Sequence, residues 1–415
     1  MKRIAIFCDG TWNRHDAKDQ TNVVKLARCV RHTDDDGTQQ VVFYYPGVGT
    51  GRGTNAFARW TDKLLGGAFG WGVMAVIEEA YRALIFAYEP GDEIYIFGFS
   101  RGAFTARSLV GLIRSCGIPT QDNLHRVPEA IERYIERGDN TYPDDPDMWS
   151  FRAEISTFTA TSKKEQGWRR NLGSDAIWLG INYLGLWDTV KAMGIPRFLP
   201  FSKRINHRHE FHDDKLSSMV SAARHAISID EKRSTFPSLG RGNTPVLNAA
   251  SSGVRVDGRG FADQPFQQLW FAGNHGSVGG GGNKIGLSSI TLRWMAIGAQ
   301  SAGLALSEED LNRQAWDMDV HEDLSSDFGP ALSAGQWVMQ NSVRERDGPT
   351  DLMELSLAAF DRYVEDNSYR PNTLEHLYDE LFKLDATEKT MIRAQMLARD
   401  GGRTHSRKSN CDVDQ

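Results

Sequence analysis

The sequence predicts an α/β fold, a mostly parallel sheet flanked by helices. Three observations carry this prediction. Short apolar or β-branched runs alternate with segments of helical spacing over the first two-thirds of the chain. Most of these runs close on Gly, Pro or Asp. One of them passes through Gly98-Phe99-Ser100-Arg101-Gly102 directly into a segment rich in Ala, Leu and Val. Strands that alternate with helices are joined by crossovers, and crossovers build a parallel sheet covered on its faces.

Taken in order, Ile4 to Cys8 reads as a short buried strand ended by the turn Asp9-Gly10-Thr11. Thr21 to Val30 has helical spacing at Val24, Leu26, Ala27 and Val30. Val41 to Tyr45 is β-branched and aromatic and meets Pro46-Gly47, so it reads as a second strand. Trp71 to Ala87 predicts a helix, which Pro90-Gly91 ends. Glu93 to Phe97 is a third strand, and Ala103 to Ile113 is the helix that follows it. Residues 119–173 are polar, carry Pro143, Pro146 and a charged helix around Glu129 to Arg137, and read as an insertion or lid. Ala176 to Trp187 returns to strand character, while Leu216 to Ile229 reads as helical and places His225 within a helix. Gln268 to Ala272 is a late strand before a glycine-rich turn, and Ile290 to Ala302 opens a helical part. The expected organisation is a catalytic domain over 1–300, a helical C-terminal part or subdomain over 301–400, and a disordered tail over 401–415.

Composition narrows the function. With 40% hydrophobic and 25% charged residues, the 415-residue chain has enough apolar material for a sizeable core. A formal net charge of -6 argues against a nucleic-acid binder that works by neutralising phosphates. The mean hydropathy of -0.46 argues against a polytopic membrane protein. The longest apolar run, Leu64 to Ile77, contains four glycines and stops at Glu78-Glu79, too short to span a bilayer. The basic start Met1-Lys2-Arg3 meets Asp9 after a brief apolar run, so no Sec signal peptide is expected. Cys8, Cys29, Cys116 and Cys411 form no C-x-x-C pair, so free thiols in a product that is cytoplasmic as synthesised are expected.

Gly98-Phe99-Ser100-Arg101-Gly102 fits G-x-S-x-G at a strand-to-helix turn, the context of a nucleophile elbow. A serine on so tight a turn is strained, and its flanking positions must lack bulk. Its hydroxyl needs a base, and the base an orienting acid. The α/β-hydrolase order is Ser, then Asp or Glu, then His. Asp188 at the end of Tyr183-Leu184-Gly185-Leu186-Trp187 is the candidate acid, and His275 in Gly273-Asn274-His275-Gly276 the candidate base. Asp230 and Glu231 are alternatives for the acid. The backbone N–H groups of Arg101 and of Gly10 or Thr11 are the candidate oxyanion hole. Asp9-Gly10-Thr11 resembles the end of phosphatase aspartate motifs, but Phe7 stands where their nucleophilic aspartate would be. Gly47-Val48-Gly49-Thr50 lacks the Lys-Ser/Thr of a P-loop and reads as a pocket wall. His207, His209 and His212 lie among Arg204, Arg208 and Lys215 and read as a solvated face, so no metal is expected.

Five segments in order carry a resemblance. They are Phe7 to Asn13, Tyr45 to Thr50, Gly91 to Ala103, Leu186 to Val190 and Trp270 to His275. Together they resemble the α/β-hydrolase family of type VI secretion phospholipase effectors, from residue 4 to about residue 300. The resemblance implies a Ser–Asp–His triad on Ser100, Asp188 and His275, and hydrolysis of a phospholipid acyl ester without a cofactor. It also implies a secretion-system or immunity partner for an effector and export without a signal peptide; the apolar stretch Leu64 to Val76, with Phe69 and Trp71, or the 119–173 insertion is the candidate for transient contact with an acyl chain or membrane surface. The family commonly has Asp two residues after the histidine, where this chain has Ser277. Two alternatives stay open: an esterase or thioesterase on a soluble substrate, and a non-catalytic α/β-hydrolase fold used for binding.

Overall fold

A computed structural model describes the chain apart from residues 11–12, 14, 48–66, 137, 139, 191–215, 233–247, 249–263, 323–345 and 401–415. The first strand, β1 (Arg3–Cys8), is buried along its length. Helix α1 (Asn22–Cys29) opens at Thr21, whose side chain accepts the Val24 N–H, as a good N-cap residue does. β2 (Gln40–Tyr45), α2 (Gly67–Ala87), β3 (Glu93–Phe99) and α3 (Arg101–Cys116) follow.

The insertion holds α4 (Val127–Ile135), α5 (Pro146–Ile155), the two-residue β4 (Thr159–Ala160) and α6 (Lys163–Asn171). β4 pairs with β5 (Ile177–Trp178) in a small separate sheet. The main sheet resumes with β6 (Tyr183–Trp187), β7 (Ala223–Ser228) and β8 (Phe266–Phe271). Then come α7 (His275–Gly279), α8 (Gly286–Ser301), α9 (Glu308–Gln314), α10 (Leu357–Glu365), α11 (Tyr378–Lys383) and α12 (Ala386–Asp400).

The main sheet has six strands in the order β2-β1-β3-β6-β7-β8, and every pairing is parallel. The chain reverses its direction of growth at β1 and β3, so a crevice opens at their carboxyl ends, where open α/β sheets place their sites. Alternation along β1 sends Ile4, Ile6 and Cys8 into one core and Ala5 and Phe7 into the other. The first core holds residues of α2, α3 and the insertion, such as Leu84, Leu109 and Phe151. The second holds Val23 of α1, Leu292 of α8, and Leu355, Phe360, Leu374 and Met396 from the C-terminal part. That part also bonds to the sheet directly: the Ser356 N–H donates to the Trp270 carbonyl.

Residues 216–229 correct one expectation. The alanine-rich run is not helical; residues 223–228 form β7, the strand between β6 and β8, and every one of its residues is buried. A strand covered on both faces loses the polar alternation that would have revealed it. Small residues also let the covering helix approach: a Cβ on Gly298 of α8 would sit 2.4 Å from the Tyr183 hydroxyl and 2.5 Å from Arg224 Cδ.

The insertion is pinned to α3 by a buried ion cluster. Glu165 lies between Arg152 (2.9 Å) and Arg169 (2.6 Å), with all three side chains almost fully buried. Arg152 also donates to the carbonyls of Ser115 and Pro143. Burial opposes ionisation of Glu165, yet the two guanidinium groups hold its pKa below the ordinary value. Glu165→Gln leaves two buried cations short of a countercharge, so a stability loss of about 3–5 kcal/mol is expected. A urea midpoint that drops at constant slope is the check, and a loss below about 1 kcal/mol would contradict this reading.

Candidate active site

Ser100 joins β3 to α3 with φ 59° and ψ -124°. An L-residue held there stores about 1–3 kcal/mol of strain. It occupies the N-cap position of α3 but makes no side-chain capping bond, so its hydroxyl is not consumed by the helix. The flanking glycines are required by close approach. A Cβ on Gly98 would lie 2.4 Å from the Gly102 carbonyl oxygen, and one on Gly102 would lie 2.2 Å from the Cys8 carbonyl oxygen. The Ser100 N–H donates to the Trp187 carbonyl at 3.0 Å, which ties the turn to the end of β6.

Asp188 is the next residue along β6. It is fully buried, has φ 38°, and its N–H donates to Ala226 of β7 at 2.7 Å. Its Oδ2 lies 2.5 Å from His275 Nδ1. Its Oδ1 accepts the Ser228 N–H at 3.0 Å. Arg346 adds a two-pronged contact, Nη1 to Oδ1 at 2.6 Å and Nη2 to Oδ2 at 3.0 Å. Burial alone would raise this carboxyl; Arg346 and His275 outweigh it and hold Asp188 far below the usual carboxylate range.

His275 opens the short helix α7, where the Asn274 side chain accepts the Ser277 N–H and hydroxyl. Its ring packs 4.6 Å from that of Phe99, the neighbour of Ser100. The two alternative acids hold the backbone of this loop, while Asp188 is the carboxylate on the ring. Glu231 accepts the His275 N–H at 3.2 Å, and Asp230 accepts the Gly273 N–H at 2.7 Å and the Tyr369 hydroxyl at 2.9 Å. With Nδ1–H donating to Asp188, the lone pair of the neutral ring stays at Nε2, ready to take a proton.

His225, expected in a helix, lies on β7. Its Nε2 meets the Thr189 N–H and hydroxyl, and its Nδ1 meets Gln268 Oε1. Burial pushes it down to about 4, so it braces the chain beyond Asp188 as a neutral group.

The oxyanion candidates divide. Arg101 is the first residue of α3, and burial pushes its guanidinium down to about 10. The Gly10 N–H is engaged in this structure. It donates to Asp9 Oδ1 at 2.7 Å, because a carboxylate one residue away captures it first. Thr11 lies outside the described residues, as do Gly49, Thr50, His207, His209, His212 and the start of the apolar run before α2.

Asp9 itself is buried at the end of β1. It accepts the hydroxyls of Thr21 (2.9 Å) and Tyr44 (2.8 Å), yet burial pushes it up to about 6. Folded Asp9 therefore binds its proton more tightly than the unfolded chain does. Its stability contribution is present in acid and lost as pH rises from about 4 through about 6, a swing on the order of 2–3 kcal/mol. Wild type is expected to gain on Asp9→Asn as pH falls through that window, measured by urea denaturation at several pH values. A pH-independent gap between the two proteins would refute the raised value.

Residues 2–297 match the family described as the type VI secretion system phospholipase effector Tle1-like catalytic domain. The chain belongs to this family. The chain is 29% identical, over 248 residues, to Uncharacterized protein YEL023C of Saccharomyces cerevisiae; the match covers 57% of this chain and 32% of that protein. Among solved structures, an uncharacterized protein from Pseudomonas aeruginosa is 16% identical with a TM-score of 0.41, covering 97% of this chain and 62% of its own. The structure of the Tle1 effector bound to the VgrG spike is 19% identical with a TM-score of 0.35, covering 69% of this chain and 53% of that one. The chain thus spans about a third of the curated relative and under two-thirds of these solved chains.

In this Tle1-like catalytic domain the family match runs from β1 to within α8. It contains Ser100, Asp188 and His275 but not Arg346. Arg346 is the residue that motif reading missed. It stands in Arg344-Glu345-Arg346, an ordinary polar string, 158 positions from the carboxylate it grips. No periodicity or spacing marks it. Among the described residues no helix is long and apolar enough to cross a membrane, and no group of three or more His, Cys, Asp or Glu could hold a metal ion.

Proposed function

We propose that this Tle1-like domain is a serine hydrolase that cleaves phospholipid acyl esters through an acyl-enzyme. The observation that carries the reading is the strained Ser100 turn and the buried His275–Asp188 pair, at the carboxyl ends of the parallel strands β3, β6 and β8. In this mechanism Ser100 Oγ attacks the ester carbonyl while His275 takes its proton. Asp188 holds the ring tautomer and stabilises the imidazolium. The N–H groups at the start of α3, with Thr11 as the second candidate, meet the developing oxyanion. His275 then returns the proton to the leaving alcohol, and water repeats the sequence to release the acid. The route uses no cofactor.

Synthesis in the cytoplasm, delivery by a secretion system, an immunity partner and brief contact with a lipid surface belong to the same proposal, and family membership is their support. The test is fluorophosphonate labelling of the protein, paired with fatty-acid release from mixed phospholipid vesicles. Labelling with release supports the phospholipase. Labelling without release points to a soluble ester or thioester. No labelling brings forward a fold kept for binding.

A further inference from the structure

We infer that Arg346 is a positioning residue for the His275–Asp188 pair: its guanidinium fork aims the carboxylate and sets how readily His275 takes a proton. The kinetic half of this inference rests on the hydrolase reading; the acid-base half does not.

The geometry is specific. Arg346 is 8% exposed, and its two terminal nitrogens meet the two oxygens of one fully buried carboxylate. Such a fork fixes the plane of the carboxylate as well as its position. The guanidinium is itself anchored apart from Asp188, because Nη1 also donates to the Ser228 carbonyl at 3.0 Å and meets the Ser228 hydroxyl at 2.7 Å. Asp188 therefore docks against a cation whose place the end of β7 defines. The segments around Arg346 are held to the same strand ends. Thr373 donates to the Ile229 carbonyl, Tyr369 to Asp230, and the tight Gly348 turn packs against the Thr373 backbone.

The charge balance is equally specific. In an isolated Asp–His pair, protonating the imidazole gives a neutral ion pair. Here the carboxylate is already neutralised by Arg346, so the imidazolium adds a net positive charge to a buried site. Arg346 thus weakens His275 as a base in the resting enzyme. Among the described residues, the charged groups nearby include Glu231 on the His275 N–H and Asp230 on the neighbouring Gly273, both of which favour the imidazolium, with Arg362 and Lys232 acting on Asp230 in turn. His225 is held neutral by burial on β7, and Arg107 of α3 acts on the His225 side. None of these contacts the Asp188 carboxylate as Arg346 does. The C-terminal part, beyond the family match, supplies this residue.

The test titrates the His275 imidazole by NMR with isotope-labelled histidine in wild type, Arg346→Gln and Arg346→Lys, with His275→Gln to assign the signal. kcat and KM are measured against pH on the same preparations. In Arg346→Gln the His275 pKa is expected to rise by about one unit, with kcat down at least about tenfold and KM little changed. In Arg346→Lys the charge remains and the fork is lost, so the pKa should stay near wild type while kcat falls several-fold. An unshifted His275 in folded Arg346→Gln overturns the inference, and so does a Lys variant with wild-type kcat. If the Gln variant does not fold, the Lys variant decides by the same two readings. The hydrolase reading fails separately: a shifted His275 without turnover by wild type would sink that reading and leave the coupling standing.

Discussion

Ser100→Ala is expected to lower turnover of an ester substrate by roughly three to six orders of magnitude while the protein folds normally. The loss should fall on kcat, because the hydroxyl oxygen is the atom that forms the covalent bond. Ser100 makes no helix-capping bond, so removing its oxygen takes away no structural bond that holds α3. The variant should also relieve none of the backbone strain, since alanine carries the same Cβ at φ 59°. Equal thermal stability with abolished fluorophosphonate labelling is therefore the specific signature. Residual turnover within tenfold of wild type would remove Ser100 from the mechanism.

Asp188→Asn is expected to lower kcat by about four orders of magnitude, the usual effect when a triad acid becomes an amide and the ring tautomer reverses. Here the substitution carries a second consequence that Ser100→Ala does not. Asp188 is the countercharge for Arg346, so the variant leaves a buried guanidinium without it and should lose about 3–5 kcal/mol of stability. The two effects separate experimentally. Active-site titration counts the folded, reactive fraction, and kcat per reactive site reports the catalytic loss alone. A kcat per site near wild type would make Asp188 a structural residue and refute its role as the orienting acid.

Much of the sheet was readable from the chain because several strands are runs of β-branched and aromatic residues closed by turn residues. Ile4 to Cys8, Val41 to Tyr45 and Glu93 to Phe97 are β-branched or aromatic and end on turn residues, and all three lie in strands. β7 was misread for a physical reason. Ala223 and Ala226 favour helix locally, and what makes them a strand is the pairing with β6 and β8, which no local signal records.

The site divides in the same way. Ser100, Asp188 and His275 were legible because each follows a recognisable strand, and the carboxyl ends of parallel strands lie along one edge of the sheet. Steric demand made the glycines around Ser100 legible as well. The fate of the Gly10 N–H was not, because it turns on where the Asp9 carboxylate points once Thr21 and Tyr44 hold it. The choice of Asp188 over Asp230 and Glu231 as the residue on the imidazole also needed coordinates, since all three follow strands that end at the same edge.

By itself, then, the sequence determined the layered α/β architecture and the order in which its chemistry-bearing residues reach the sheet edge. Both follow from local properties: side-chain periodicity, turn residues and steric room. Tertiary structure alone decided that Asp188 is charge-paired with Arg346 and that Asp230 and Glu231 serve the His275 loop. Those contacts join residues tens to more than a hundred positions apart: the pairing of β7 with β8 brings Asp230 and Glu231 to the His275 loop, and the packing of the C-terminal part onto those strand ends brings Arg346 and Tyr369 there.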